Sequence, residues 1–244
     1  MTLHEEYNHI SSLSQKCWKS TATGGNSSAK DHKEIVISAS GAGIGGPSCH
    51  CRLASLDDIK TEEEYFNTGK SLIIGEANEQ RPSMEYGFHF CSPHKYVVHL
   101  HPADLNVILC SNEAEEIIKN LFHDLPHYFV PYITPGFQLF QYLKRLSPAK
   151  VIFLQNHGLI VSDNNYWDVA HNLCVIENRL RDFIYRPLYP DAVCLPSANA
   201  ETNRDILGGM SRLGLTPRFL TESEIKTLKD LEYEKFRQTT IAAR

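Results

Sequence analysis

The chain has 244 residues, of which 42% are hydrophobic and 22% are charged, and its formal net charge is −5 at pH 7. No apolar run approaches the ~20 residues that a membrane-spanning helix needs, which argues against a membrane protein. The chain has no basic tract interleaved with aromatic residues, so nucleic acid is not an expected partner. A chain of this size can bury a sizeable core, and we expect one domain over residues 1–244.

The amino-terminal residues and the cysteines indicate a reducing compartment. The first residues are polar and acidic, whereas a signal peptide begins with basic residues followed by an apolar block. The seven cysteines are odd in number and scattered along the chain, so they do not form a disulfide framework. We therefore expect a cytoplasmic protein.

The first third of the chain predicts helices and strands separated by glycine-rich turns. Leu3, Tyr7 and Ile10 lie at helical spacing and predict an amphipathic helix, which ends by the turn-rich sequence STATGGNSSAK. Further along, EIVIS predicts a β-strand that runs into glycine, LDDIKTEEEYF predicts a helix and SLIIG predicts a short strand.

A short helix is predicted from Ser83 to about Phe90, because Pro82 is well suited to the start of a helix. This helix leads directly into KYVVHLHP, in which apolar residues surround two histidines. Side chains alternate between the two faces of a β-strand, so His99 and His101 would share one face. The strand therefore presents two imidazoles to the same point.

The second half of the chain predicts four helices. SNEAEEIIKNLF has an apolar helical stripe with Ser111 or Asn112 as N-cap, and GFQLFQYLKRL is a second helix. WDVAHNLCVIENRLRDFIY is a long helix in which we expect Trp167 to belong to the core. Thr221 and Glu224 form a capping box for the last helix, which follows an extended linker, YPDAVCLPSANAE. YFVPYITPG indicates an edge strand or extended loop, and VIFLQ a buried strand.

The order of these elements favours a mixed sheet covered by helices, because the strands are short and some connections are tight turns. A nucleotide-binding fold has little support. The sequence GAGIGG is not followed by an amphipathic helix, and NTGKS lacks the upstream glycine of a phosphate-binding loop.

Two further residues are predicted to converge on the histidine strand. His157 lies just beyond the strand VIFLQ and before Gly158, where the backbone can turn sharply, and Glu85 lies in the first turn of the preceding helix. Three neutral imidazoles with one open position make a catalytic zinc site. Two alternatives remain open: the histidine pair could be a hydrogen-bonded polar pair, and Glu85 could interact only with the helix dipole.

Three groups of small residues offer hydrogen-bond donors for an anion. Thr23–Ser28 could form a backbone nest to which Asn26 and Ser28 add side-chain hydrogen bonds, although most such loops are only turns. Ser38–Gly41 is a second candidate, and Ser83 is a third. Three candidate groups of anion donors together with one candidate metal site are a more informative pattern than any one of these groups.

Two other motifs admit structural interpretations. His89 lies on the same helical face as Glu85, where it is either a hydrogen-bond partner or a packed core histidine. Cys49 and Cys51 lack the two-residue gap of a zinc knuckle, so we expect free thiols.

The sequences TATGGNSSAK, SASG, RPSMEYGFHF, VVHLHP and LQNHGLIV, in this order and spacing, resemble the class II aldolase/adducin superfamily from the first helix to about Tyr185. In appearance the chain is most similar to the aldolase domain of bifunctional rhamnulose-1-phosphate aldolase/alcohol dehydrogenases. The resemblance implies an α/β fold, a three-layer α/β/α arrangement with a mainly antiparallel central sheet, usually assembled as a homotetramer. The core would span about residues 3–190, with a C-terminal extension and helix over about 191–244.

The resemblance also assigns the site residues. The three metal ligands of the family fall on His99, His101 and His157, and its catalytic glutamate falls on Glu85. The residues that bind the phosphate or the substrate fall on Gly25, Asn26, Ser28, Ser40, Gly41 and Ser83.

The chain departs from the family pattern at Met84, where the family has a second serine beside the glutamate. The segment GAGIGGPSCHCRLAS is also longer than usual. Tyr128 and Tyr132 are candidates for the tyrosine that serves as proton donor in some subfamilies.

By resemblance, the function is that of a metal-dependent aldehyde-lyase with one Zn²⁺ per subunit. It would cleave a ketose 1-phosphate, such as rhamnulose or fuculose phosphate, to dihydroxyacetone phosphate and a short aldehyde through a metal-stabilised enediolate. Alternatives within the superfamily are an epimerase, a dehydratase or a decarboxylase. An alternative of another class is an adducin-like, non-catalytic interaction module that keeps the fold without the metal ligands. The presence of Glu85, His99, His101 and His157 argues against it.

Overall fold

A computed structural model of the chain describes residues 1–18, 24–75, 80–184, 200–233 and 235. Within these ranges seven strands form one sheet in the order β3-β2-β1-β4-β7-β6-β5. The strands are β1 (Asn26–Lys30), β2 (Glu34–Ser38), β3 (Ser48–Arg52), β4 (Tyr96–Leu100), β5 (Tyr128–Val130), β6 (Val151–Leu154) and β7 (Gly158–Asp163). Among these strands β5 and β6 run parallel and the other neighbours run antiparallel, so the predicted mainly antiparallel sheet is confirmed.

The helices begin where side chains satisfy the free backbone N–H groups of the first turn. Thr2, Thr61 and Thr221 each form a capping box with the glutamate three residues later, which confirms the predicted start of the last helix. The helices of the described ranges are α1 (Leu3–Cys17), α2 (Glu62–Ser71), α3 (Tyr86–Cys91), α4 (Ala103–Leu109), α5 (Ala114–Leu121), α6 (Phe137–Leu143), α7 (Tyr166–Ile184), α8 (Ala200–Leu213) and α9 (Glu222–Asp230).

Helices cover both faces of the sheet, which confirms the predicted three layers. On one face, side chains of α1, α4, α5 and α7 share a core with Val98, Leu100 and Val161 of the central strands. On the other face, α2, α3 and α6 pack over two further clusters, which include Val97 and Ile160. None of the described helices combines the length and the apolar character that crossing a membrane requires.

Several predicted element boundaries are wrong, in each case because tertiary contacts override a local signal. The helix before β4 begins at Tyr86 rather than Ser83, with Glu85 as its N-cap residue. The N-cap of α5 is Glu113 rather than Ser111 or Asn112.

Three other predictions need correction. SLIIG is not a strand, since α2 extends to Ser71 and the remaining residues contribute one isolated bridge, from Ile73 to Cys51. Trp167 is 59% exposed because the buried stripe of α7 begins at Val169. Five elements were not predicted: β1, β3, α4, β7 and α8. The predicted linker YPDAVCLPSANAE lies outside the described residues up to residue 199, and its last two residues belong to α8.

Residues predicted as loops form two of the strands. Asn26 and Ser28 lie in β1, and Cys49 and Cys51 lie in β3 with both thiols free and buried. Burial raises the pKa of each of these thiols to about 12, so both stay protonated at neutral pH. His50 between them pairs with Glu34 instead, at 2.7 Å. The interpretation of this motif as free thiols is therefore confirmed.

Gly25 allows β1 to begin directly against β4. Its φ is +83°, and a Cβ atom there would lie 2.5 Å from the carbonyl oxygen of His99. We expect Gly25→Ala to destabilise the fold by about 2–5 kcal/mol, through left-handed strain of ~1–2 kcal/mol and a forced backbone shift of ~1–3 kcal/mol. Urea unfolding measures this loss. The control is Gly214→Ala, because Gly214 has φ +65° and no atom within 4 Å. Equal losses in the two variants would contradict the contact.

Candidate metal centre

Four side chains converge at one end of the central strands. His99 lies in β4 opposite Ile160 of β7, and His101 follows the end of β4 on the same face. His157 lies in the turn between β6 and β7, and Glu85 caps the start of α3. Because β4 and β7 are antiparallel neighbours, the end of one and the start of the other meet at the same edge.

The four side chains approach each other closely. The Nε2 atom of His99 lies 2.7 Å from Nε2 of His101 and 3.2 Å from Nε2 of His157. The Glu85 carboxylate lies 3.2 Å from His99 Nε2 through one oxygen and 3.1 Å from His157 Nε2 through the other. All four ligand atoms fall within 4.8 Å of one another, and each residue is at most 6% exposed.

The protonation states of the imidazoles suit a metal ion. His99 Nδ1–H donates to the carbonyl oxygen of Leu159 at 3.0 Å, which leaves the lone pair of Nε2 directed at the centre. Burial lowers the pKa of His157, which favours its neutral form. Neutral imidazole nitrogens that converge through their lone pairs repel one another unless a cation lies between them. The donor set of three nitrogens and a carboxylate therefore fits a divalent transition metal.

Glu85 is ionised in this environment. Burial alone would raise the pKa of its carboxyl, but positive charge on the rings of His99 and His157 outweighs burial and holds that pKa well below its usual range. A cation held between neutral imidazoles would supply the same positive charge. The helix-dipole alternative does not explain this contact with two imidazoles. Glu85 is thus available either to ligate a cation or to accept a proton.

A series of buried hydrogen bonds through Asn26, His89 and Ser28 supports the Glu85 carboxylate. The Asn26 amide donates from Nδ2 to Glu85 Oε2 at 2.9 Å and to Ser83 Oγ at 3.0 Å. Its carbonyl oxygen therefore accepts from Nε2–H of His89, and His89 Nδ1 accepts from the Ser28 hydroxyl at 2.7 Å. Burial lowers the pKa of His89 well below its usual range, so the ring is neutral. His89 supports Glu85 through Asn26.

Lys30 completes this buried support and was not predicted. Its ammonium group donates to the carbonyl oxygens of His89, Phe90 and Ser92, which lie at the C-terminal end of α3. A cation at this end of a helix satisfies free carbonyls. Burial lowers the pKa of Lys30 to about 8. The residues NSSAK carry no signal for this role, because the acceptors lie about 60 residues further along the chain.

The predicted anion-binding residues take different positions. Asn26 and Ser83 reach Glu85, whereas Ser28 is fully buried against His89. Ser40 donates its backbone N–H to the carbonyl oxygen of Arg81, and Gly41 turns the chain with φ +74°. The structure therefore brings two of these six residues to Glu85, Asn26 at its carboxylate and Ser83 at its backbone N–H, and the roles of the six toward a phosphate stay predictions.

Met84 and the candidate tyrosines are also placed by the fold. Met84 is buried in a core cluster of the face that carries the centre, and its carbonyl oxygen accepts from the Tyr65 hydroxyl at 3.0 Å. Tyr128 pairs with Ile152 early in the two parallel strands β5 and β6. Tyr132 lies two residues beyond the end of β5. Because β5 and β6 run parallel, this is the same end of the sheet at which His157 follows β6.

The profile of the Class II Aldolase and Adducin N-terminal domain family matches residues 10–184. The chain therefore belongs to this family.

Comparisons with individual proteins agree with the family at the level of the fold. The class II aldolase domain of a Thermoplasma acidophilum protein has a TM-score of 0.65 and 22% identity, covering 75% of this chain and 94% of that one. An L-fuculose 1-phosphate aldolase has a TM-score of 0.50 and 14% identity, covering 96% of each chain. An uncharacterized oxidoreductase, YuxG of Bacillus subtilis (strain 168), is 28% identical over 117 residues. That match covers 43% of this chain but only 17% of the relative's length.

Proposed function

We propose that the protein is a zinc-dependent class II aldolase that cleaves a ketose 1-phosphate to dihydroxyacetone phosphate and a short aldehyde. The observation that carries the proposal is the buried contact of Glu85 with His99 and His157, beside His101. Family membership and the similarity in fold to an L-fuculose 1-phosphate aldolase support a sugar phosphate of this class as substrate.

The proposed mechanism gives separate roles to the bound cation, Glu85, Asn26 and a tyrosine. When bound, the cation supplies Lewis-acid stabilisation of the negative charge that develops on the carbonyl oxygen of the substrate. In the synthetic direction Glu85 removes a proton from the carbon next to that carbonyl; in the cleavage direction it takes up a proton from solvent and gives it to that carbon after the carbon–carbon bond breaks. Asn26 keeps one carboxylate oxygen oriented while the other faces His157. In the cleavage direction a tyrosine, for which Tyr128 and Tyr132 are the candidates, accepts the proton of the hydroxyl that becomes the aldehyde oxygen, and in the synthetic direction it returns that proton.

Further parts of the proposal concern the setting of the reaction. Zinc is favoured because three imidazoles with a carboxylate form a donor set that zinc commonly takes. A cytoplasmic location is supported by seven scattered cysteines, and the described thiols are free. A homotetramer follows from the family resemblance.

The second candidate is another lyase or isomerase of the superfamily: an epimerase, a dehydratase or a decarboxylase. A specific observation favours it, namely that Met84 is buried where the family has a second serine. A missing hydroxyl donor would change how the phosphate is held. An adducin-like interaction module is disfavoured because such a domain has no need of a buried glutamate among three histidines.

The direct test is to incubate the zinc-loaded protein with rhamnulose 1-phosphate, fuculose 1-phosphate and other ketose 1-phosphates. Release of dihydroxyacetone phosphate is followed by its coupled reduction with NADH. We expect release from at least one sugar, its loss after treatment with a chelator and its return when Zn²⁺ is added back. Protein that holds zinc but releases no dihydroxyacetone phosphate from any sugar would contradict the aldolase and favour the second candidate.

A further inference from the structure

The segment between α8 and α9 contacts the domain that matches the family, although the segment itself lies outside the matched residues. The backbone N–H of Arg218 donates to the carbonyl oxygen of Cys110 at 2.7 Å, and that of Asn112 donates to Thr216 at 2.9 Å. The Thr216 N–H donates to the Glu113 carboxylate at 3.1 Å. These bonds dock the segment on the turn between α4 and α5.

Arg218 forms a reciprocal pair with Asn156. Its Nη1 donates to the Asn156 side-chain oxygen at 3.0 Å, and the Asn156 side-chain nitrogen donates to the Arg218 carbonyl oxygen at 2.8 Å. The Nη2 atom of Arg218 donates to Oε1 of Glu224 at 2.7 Å, and Glu224 also belongs to the capping box of α9. The guanidinium carbon lies 5.3 Å from the centre of the Tyr132 ring. Arg218 is therefore held on several sides.

Asn156 is the residue that sets the backbone of the turn before His157. It is fully buried and has φ +52°, in the left-handed region that few residues other than glycine and asparagine adopt. Its backbone N–H donates to the carbonyl oxygen of Leu109 at 2.9 Å. Any movement of Asn156 would therefore shift the next residue, which is the candidate ligand His157.

His157 differs from His99 at its outer ring nitrogen. A metal-binding histidine commonly donates its second ring nitrogen to a carboxylate, a carbonyl or water, which orients the ring. His99 follows this rule through Leu159, but Nδ1 of His157 is buried without a hydrogen-bond partner in the described part of the chain. The position of the His157 backbone therefore contributes to the direction of the ring, together with the contacts of Nε2 with Glu85 and His99.

We propose that Arg218 is a positioning residue for the metal centre, which acts through Asn156 to hold the backbone of His157. The C-terminal segment thereby becomes part of the site, although it lies beyond the matched family domain. The proposal rests on the metal centre of the proposed function, and it does not depend on which sugar is the substrate.

The test compares Co²⁺ binding by Arg218→Ala with that by the unaltered protein. The affinity is measured by competition with a chromophoric chelator, and the visible absorption of Co²⁺ reports the ligand geometry. Loss of an outer support of a metal ligand typically weakens metal binding by ~10–100-fold, and we expect a loss in this range with an altered Co²⁺ spectrum. Arg218→Lys, which keeps a donor and the positive charge, should recover part of the affinity.

A matched control separates positioning from general stability. Arg179 also bridges a carboxylate, that of Asp124, and its side chain is 31% exposed compared with 26% for Arg218. Arg179→Ala should leave the Co²⁺ affinity and spectrum unchanged. Unchanged affinity and spectrum in Arg218→Ala would overturn the proposal.

A second variant tests the path through Asn156 and does not depend on whether Arg218→Ala folds. Asn156→Gly keeps the left-handed backbone at little cost but removes the amide that contacts Arg218. We expect it to weaken Co²⁺ binding to a similar extent, and the double variant should bind no more weakly than the single ones. Normal binding by Asn156→Gly, or additive losses, would overturn the proposal. Unaltered protein that binds Co²⁺ but cleaves no ketose phosphate would refute only the aldolase function.

Discussion

Glu85→Gln is expected to lower aldolase turnover by about 10²–10⁴-fold, the range that general acid–base catalysis contributes. The glutamine side chain keeps the size of glutamate and can still accept a hydrogen bond from Asn26, but it cannot take up and return a proton. The fold should therefore be retained while the chemical step is lost. Dihydroxyacetone phosphate release, measured with the active ketose 1-phosphate at saturating concentration, gives the change in kcat.

The control for this variant is Glu34→Gln. Glu34 also contacts a histidine, since its carboxylate lies 2.7 Å from Nε2 of His50. This pair joins β2 to the edge strand β3, away from the metal centre. Turnover by Glu34→Gln should match that of the unaltered protein. Full turnover by Glu85→Gln with zinc bound would remove Glu85 from the proposed mechanism.

His99→Ala is expected to abolish stabilisation of the protein by Zn²⁺. His99 lies closest to the middle of the centre, because its Nε2 contacts His101, His157 and Glu85. Zn²⁺ at 100 times its dissociation constant adds about 2.7 kcal/mol to the stability of the folded state. For a chain of this size that corresponds to a rise in Tm of roughly 5–11 °C, at ~2–4 °C per kcal/mol. The variant should show no such rise, and its affinity for Zn²⁺ should fall by more than the ~10–100-fold typical of outer supports.

Thermal unfolding with and without Zn²⁺ measures this effect. His94→Ala is the control, because His94 precedes the same strand and makes a hydrogen bond of 2.9 Å with Ser162 away from the centre. Its rise in Tm should equal that of the unaltered protein. An equal rise in His99→Ala would show that Zn²⁺ binds elsewhere.

Much of the site was predictable because its signals are local. Alternation along β4 places His99 and His101 on one face whatever the rest of the fold, and the helix before β4 keeps Glu85 within reach of that strand. The turn that carries His157 follows from the apolar run Val151–Leu154 and from Gly158 after the histidine. The family resemblance then assigned these residues their roles, which the periodicity alone did not.

Other parts of the site carry no such signal. The sequence around Asn26 and Ser28 predicts a turn, because small polar residues after two glycines favour loops. Pairing with β2 on one side and β4 on the other makes them a strand and directs Asn26 toward Glu85. The sequence NSSAK, four small residues followed by a lysine, offered no apolar alternation from which to predict this strand.

The sequence by itself determined the local features of this protein: the capping boxes, the amphipathic faces of the longer helices and the two histidines on one strand face. Each depends on contacts within a few residues, so spacing is sufficient to predict it. Only the tertiary structure decided which distant groups meet, such as Asn156 with Arg218, which are 62 residues apart, and Lys30 with the end of α3. These contacts form because burial leaves polar groups that must be paired, and the topology of the sheet selects the partner.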